Sequence, residues 1–194
     1  METCVTRRSF LGSAVLLSLS RCVLATRSTS VSTDAAEGTK AFKAKRIARS
    51  FTFEVDAPPG VVFPLLCPVR EREWLDGWKA DVVYSDSGFA ENNCIFTTEN
   101  QLFGEAIYAI SRHEPNQGRI EFVIFFPEKC VQKLDIELKP KTGGGTSLTW
   151  SRLYTGLSAG GNALIEQITE AAFQKQAGVI AQSLARCCKQ LQGR

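Results

Sequence analysis

The sequence predicts an α+β fold: a curved antiparallel sheet of about seven strands around a long C-terminal helix, with two short helices after the first strand. Three observations carry this. Runs of period-two alternation recur from residue 47 to residue 155, separated by short turns rich in Gly, Pro and Asn that join neighbours in antiparallel fashion. After Ser158 the apolar period becomes helical and no proline follows. The chain has 194 residues, 44% of them apolar, enough to bury a core without disulfides or metals.

Each element follows in order. Ile47, Arg49, Phe51, Phe53 and Val55 share one face of a half-buried strand that ends at Asp56, Pro58, Pro59 and Gly60. Residues 61–74 predict one or two short helices interrupted near Pro64 and Pro68. A strand is expected over 78–84, with Trp78, Ala80, Val82 and Tyr84 on one face, then a short one over 94–98 and another over 104–112. Residues 119–126 form the most apolar strand. The strand over 130–139 turns Cys130, Gln132, Leu134, Ile136 and Leu138 inward, and a turn at Gly143, Gly144 and Gly145 leads into the last, over 146–155. Ser158 is a good N-cap for one helix of roughly 30 residues, about 45 Å long, whose stripe of Phe173, Ala177, Ile180, Leu184, Cys187 and Leu191 only the curved face of a large sheet could bury.

Ahead of this domain, Thr6-Arg7-Arg8-Ser9-Phe10-Leu11 matches the twin-arginine export pattern, and the apolar run from Leu11 to Leu19 is too short to span a bilayer. Cleavage is expected after Ala25. The domain plan is therefore an export signal at 1–25, a disordered basic linker at 26–45 and a globular domain at 46–194, in a protein exported to the periplasm or envelope. The net charge of +3 divides into +2 in the signal, +4 over residues 26–49 and −3 over residues 50–194. An acidic globular part argues against a nucleic-acid surface, which needs clustered Lys and Arg. The stretch from Lys40 to Arg49 is a candidate tether to anionic lipid.

Single residue types exclude more chemistry. His113 is the one histidine, so no multi-histidine metal site can form, and no metal or other cofactor is implied. Of seven cysteines, Cys67, Cys94, Cys130, Cys187 and Cys188 lie beyond the signal; none forms a Cys-x-x-Cys pair, and buried thiols are the expectation. Gly156-Leu157-Ser158-Ala159-Gly160 matches Gly-x-Ser-x-Gly, but no Asp or His follows Ser158 as a hydrolase triad requires, so the serine reads as a helix cap. The run Arg70-Glu71-Arg72-Glu73 reads as a solvated helical face, with a place at a cavity rim as the alternative.

The order strand, short helices, six strands, long helix resembles the helix-grip fold of the START and birch-pollen-allergen superfamily (SRPBCC), which includes polyketide cyclases and dehydrases. The stretches Cys67-Pro68-Val69-Arg70-Glu71-Arg72-Glu73-Trp74-Leu75-Asp76-Gly77-Trp78 and Trp150-Ser151-Arg152-Leu153-Tyr154-Thr155-Gly156-Leu157-Ser158 resemble segments of bacterial members. The resemblance covers residues 46–192. It implies a hydrophobic cavity between sheet and long helix for a lipid, polyketide-like or aromatic ligand.

Strand parity puts Arg152 on the cavity face with Leu148, Trp150 and Tyr154. A buried guanidinium needs a partner: a ligand carboxylate or phosphate, or an internal acid such as Glu105 or Glu121. Tyr84, Tyr108, Phe122, Trp150 and Phe173 are the expected apolar wall, as ligand contacts or as core. No catalytic residue is assigned. A carrier of small hydrophobic molecules is the leading expectation. A cyclase- or dehydrase-like enzyme, with Arg152 orienting an oxyanion, is the alternative.

Overall fold

The computed structural model describes residues 41–193; the expected export signal and the expected linker as far as Lys40 lie outside them. From Arg46 onward the chain runs β1 (Arg46–Val55), α1 (Pro59–Val62), a 3-10 turn (Phe63–Leu66), α2 (Pro68–Glu71), β2 (Asp81–Tyr84), β3 (Ile95–Asn100), β4 (Gly104–Glu114), β5 (Arg119–Phe126), β6 (Cys130–Pro140), β7 (Thr146–Gly156), α3 (Ala159–Glu166) and α4 (Glu170–Gln192). The seven strands form one antiparallel sheet in the order β1-β7-β6-β5-β4-β3-β2. Sequence neighbours pair throughout except at the closure of β1 onto β7. None of the described helices is long and apolar enough to cross a membrane.

Inward residues align in rows across the register. Phe96 opposes Tyr108, Phe122 opposes Leu134, and Leu134 in turn opposes Arg152, all on the concave face. At the β1 end the rows close into solid core: Phe51 stacks edge-on to Phe173 of α4 with ring centroids 5.6 Å apart, and Leu184 is fully buried. Phe103 and Phe126 meet at 4.5 Å under the β3–β4 turn. Cys67, Cys94, Cys130, Cys187 and Cys188 are all buried, and burial pushes the Cys130 and Cys188 thiols up to about 11, which suppresses the reactive thiolate.

Two elements depart from the sequence expectation. The single long helix is two helices, broken at residues 167–169. Thr169 turns to an extended conformation and its side chain accepts from the Ala172 N–H, a local cap that outcompetes continuing the helix, and Glu170 opens α4 with a negative charge at its positive end. The carbonyl of Ile168 freed by the break accepts from Arg49 Nε and Nη2 at 3.0 and 2.7 Å. The remaining helix, α4, spans 23 residues, about 35 Å.

The second departure is β2, which starts at Asp81 rather than Trp78 and is exposed along its length. It is an edge strand with a register shift between Val82 and Tyr84, so inward parity does not propagate from Trp78.

The glycines around Ser158 serve packing. A Cβ on Gly161 would lie 1.7 Å from the Lys129 carbonyl oxygen, and one on Gly156 would lie 2.2 Å from Asn162 Oδ1. Ser158 caps α3 by accepting from the Gly161 N–H and donates to the Glu128 carbonyl. Nearby, the basic stretch is absorbed into the domain: Lys45 pairs with Glu166, Arg46 Nε donates to Thr155 Oγ1, and Arg49 also faces Glu170 at 3.5 Å. Lys45 and Arg46 stay exposed while making these contacts, and Arg49 is half-buried.

Candidate ligand-binding chamber

The site is built from three walls. Tyr108, Phe122, Leu134, Trp150 and Arg152 project from consecutive inward positions of β4 to β7, so the sheet's pleat fixes their spacing. The segment after α2 supplies Trp74, Leu75 and Trp78, with Glu71 at the end of α2 itself, and α4 supplies Gln176, Val179 and Ile180. Together they enclose a chamber of about 220 Å³. It adjoins a more open vestibule of about 360 Å³ that shares Leu75, Trp78, Asn100, Gln132, Arg152 and Gln176 with it and reaches Tyr154 and Ile168. A separate depression of about 480 Å³, lined by Lys133, Asp135 and Ser151 and reached by Arg152, is more open to solvent.

The two tryptophans after α2 explain why the Pro-rich segment holds its shape. Trp74 Nε1 donates to the Leu65 carbonyl and Trp78 Nε1 to the Pro68 carbonyl, each at 2.8 Å. These bonds satisfy carbonyls at the ends of one-turn helices that have no longer ladder to use. Both rings are thereby presented to the chamber.

The electrostatics are unequal across it. Arg152 lies over Trp150, its guanidinium carbon 5.9 Å from the ring centroid. Among the described residues, neither Arg152 Nε nor Trp150 Nε1 has a hydrogen-bond partner, although both atoms are buried. The acids proposed for Arg152 are elsewhere: Glu121 accepts from Ser111 and pairs with Lys133 at 2.7 Å, and Glu105 is exposed. Arg49, directly opposite Arg152 in the register, is already engaged with Ile168 and Glu170.

The acid that does feel Arg152 is Glu71. Desolvation pushes its carboxyl up to about 8, and the Arg152 charge opposes that rise only in part. Burial also raises the Tyr108 phenol above its ordinary value, with Arg152 acting in the opposite direction. At neutral pH the chamber thus holds a protonated carboxyl and a neutral phenol beside the Arg152 guanidinium.

Solved structures supply the comparison. An uncharacterised protein from Rhizobium leguminosarum superposes with a TM-score of 0.55 at 13% identity, covering 76% of this chain and 97% of that one. Ara h 8.0201 gives 0.57 at 12%, covering 75% and 99%. A point mutant of Thalictrum flavum norcoclaurine synthase, solved with a transition-state analogue, gives 0.60 at 11%, covering 78% and 99%. The chain takes the helix-grip fold. No family model matches the sequence, and no curated relative matches it. At these identities the likeness speaks for the fold of the helix-grip domain alone.

Within that domain the expected site residues divide. Arg152, Trp150, Tyr108 and Phe122 come together in the chamber. Phe173 is buried core against Phe51 and does not line it. Tyr84 is 56% exposed on the edge strand and donates to Asp86 Oδ1, so it leaves the wall altogether. Glu71, read first as part of a solvated face and alternatively as part of a cavity rim, takes the alternative. Arg70 and Glu73 do form the surface pair at 2.8 Å, but α2 is a single turn and its last residue borders the chamber. His113 packs on Phe63 and lines a separate apolar cleft of about 330 Å³ with Cys67 and Phe89; burial lowers its pKa. Among the described residues no group of three or more His, Cys, Asp or Glu side chains could hold a metal.

Proposed function

We propose that the helix-grip domain binds a small, largely apolar molecule in the chamber and acts as a carrier for it. The observation that carries this reading is that six aromatic rings, Trp74, Trp78, Phe96, Tyr108, Phe122 and Trp150, line a space that they leave open. An interior intended only for stability packs to crystal-like density, since each void forfeits dispersion contacts. The chamber alone is below the usual 300–1,000 Å³ of ligand pockets, but it opens onto the larger vestibule, which gives a route of entry. A norcoclaurine synthase structure of this fold, at 13% identity and a TM-score of 0.54, holds dopamine and hydroxybenzaldehyde, which supports aromatic occupants. Native mass spectrometry of the protein recovered from its own host tests the carrier reading. A retained small apolar species is expected, and a ligand-free spectrum, together with no response to any apolar probe, overturns it.

A cyclase- or dehydrase-like reaction in the same chamber is the second reading, and Glu71 favours it. A carboxyl held near 8 beside a fixed cation is a group able to give or take a proton at neutral pH. Turnover lost in Glu71→Gln with ligand binding retained would move the assignment from carrier to enzyme.

We further propose that the domain works outside the cytoplasm, on the strength of the Arg7-Arg8 motif. Arg7→Lys with Arg8→Lys should retain the protein in the cytoplasmic fraction; unchanged fractionation would refute the export signal.

A further inference from the structure

We infer that the ligand is a small aromatic carboxylic acid whose carboxylate docks on the indole N–H of Trp150 and the guanidinium of Arg152. This rests on the chamber being a ligand site and specifies what the site selects.

Trp150 is the starting point. Its side chain is 4% exposed, it lines the chamber, and its Nε1 lacks an acceptor among the described residues. A buried donor left unpaired costs about 1–3 kcal/mol. The protein avoids that cost for Trp74 and Trp78, whose N–H groups each meet a carbonyl at 2.8 Å. Arg152 Nε repeats the omission two residues along the same strand face, and its guanidinium carbon is 5.9 Å from the Trp150 ring centroid. Two buried donors therefore lie on the same strand face, two residues apart, with no acceptor among the described residues. A planar carboxylate offers two acceptor oxygens to such a pair, and charge-assisted bonds of this kind are roughly twice as strong as neutral ones.

The charge balance favours an anion over a neutral carbonyl. Arg152 brings a guanidinium cation to the chamber. Across from it, α2 offers Glu71, which desolvation keeps protonated below about pH 8; β4 offers the neutral Tyr108; β3, β6 and α4 offer the amides Asn100, Gln132 and Gln176. From β7, Tyr154 reaches the vestibule, and Asp76 and Glu99 border that outer space without lining the chamber. Arg49 on β1 is held by Ile168 and Glu170. The chamber thus carries one positive charge, on the half-buried Arg152, that no ion pair among the described residues compensates, and an anion would balance it. The flanking rings of Trp78, Phe96 and Phe122 are suited to a flat aromatic body, and about 220 Å³ admits one or two fused rings.

Calorimetric titration of the full chain at pH 6.5 with 2-naphthoate and with 2-naphthamide, its neutral isostere, tests the inference. The wild type should bind naphthoate roughly tenfold tighter than naphthamide. Arg152→Gln should bring naphthoate down to the amide's level while leaving the amide within about twofold, and Trp150→Phe should weaken naphthoate several-fold. Equal affinity for the acid and the amide in the wild type overturns the carboxylate inference and leaves apolar binding standing. Binding of neither probe overturns the aromatic-acid inference, and a ligand-free native spectrum beside it overturns the carrier reading as well. Because the acid-to-amide ratio is measured on the wild type, it discriminates between these outcomes even if a variant fails to fold.

Discussion

Two carboxyls withdrawn from water, Glu121 on β5 and Glu71 at the end of α2, receive opposite treatment. Desolvation alone would raise both. Glu121 is compensated by Lys133 and by the Ser111 hydroxyl, and ends below its ordinary value. Glu71 has only the distant help of Arg152 and ends at about 8. The same contrast separates the two faces of β7. On its outer face Ser151 meets Ser50 at 3.2 Å and Thr149 meets Thr52 at 3.0 Å, while on its inner face Trp150 and Arg152 hold donors without acceptors. Elsewhere on the sheet Arg119 of β5 also leaves its buried Nε unpaired among the described residues, but its Nη2 pairs with Asp135 at 3.4 Å. Trp150 and Arg152 both line the chamber, where a bound molecule would complete the unmatched pair on β7.

The contrast can be broken most forcefully through Glu71. Its folded-state value lies above the ordinary 4.5, so its favourable contribution is full below about pH 4.5 and is lost as pH rises towards 8. Glu71→Gln should accordingly raise stability near pH 8 by about 2 kcal/mol, a gain that vanishes by about pH 4; thermal melts at both pH values check this. Next in size, naphthoate affinity should fall about tenfold between pH 6.5 and 9.5, as ionised Glu71 cancels the Arg152 charge, and Glu71→Gln should flatten that dependence in calorimetry.

Glu121 should behave in the opposite sense. With its value below the ordinary one, it stabilises above about pH 4.5 and the benefit is lost as pH falls further. Glu121→Gln should cost about 1 kcal/mol at pH 7 by denaturant titration, and a stabilisation there would erase the distinction between the two acids. Smallest of all, Ser151→Ala on the exposed outer ladder should stay within about 0.5 kcal/mol of the wild type and leave naphthoate binding unchanged.

The strands are legible in the sequence because alternation maps directly onto a sheet with one buried face, and the inward placement of Arg152 and Trp150 follows from parity alone. Parity fails where pairing is irregular, and for that reason Tyr84, beyond the shift in β2, does not reach the wall that its spacing predicts. The break before α4 is masked by Ile168, whose apolar side chain keeps the helical spacing, although Thr169 followed by Glu170 is an N-cap signal in its own right. The sequence leaves Glu71 between a solvated face and a cavity rim for a different reason. Alternating charges imply a solvated face only on a helix long enough to have two faces, and α2 has one turn. The open space itself has no sequence signature, since the same aromatic residues would serve a filled core.

All three tryptophans of the protein, Trp74, Trp78 and Trp150, border the chamber. The first two have their indole N–H groups tied to carbonyls, and the third does not. Intrinsic fluorescence is therefore a built-in gauge of occupancy: the indole emission comes entirely from the walls of one compartment, and a guest that engages Trp150 must register in the spectrum without any attached dye.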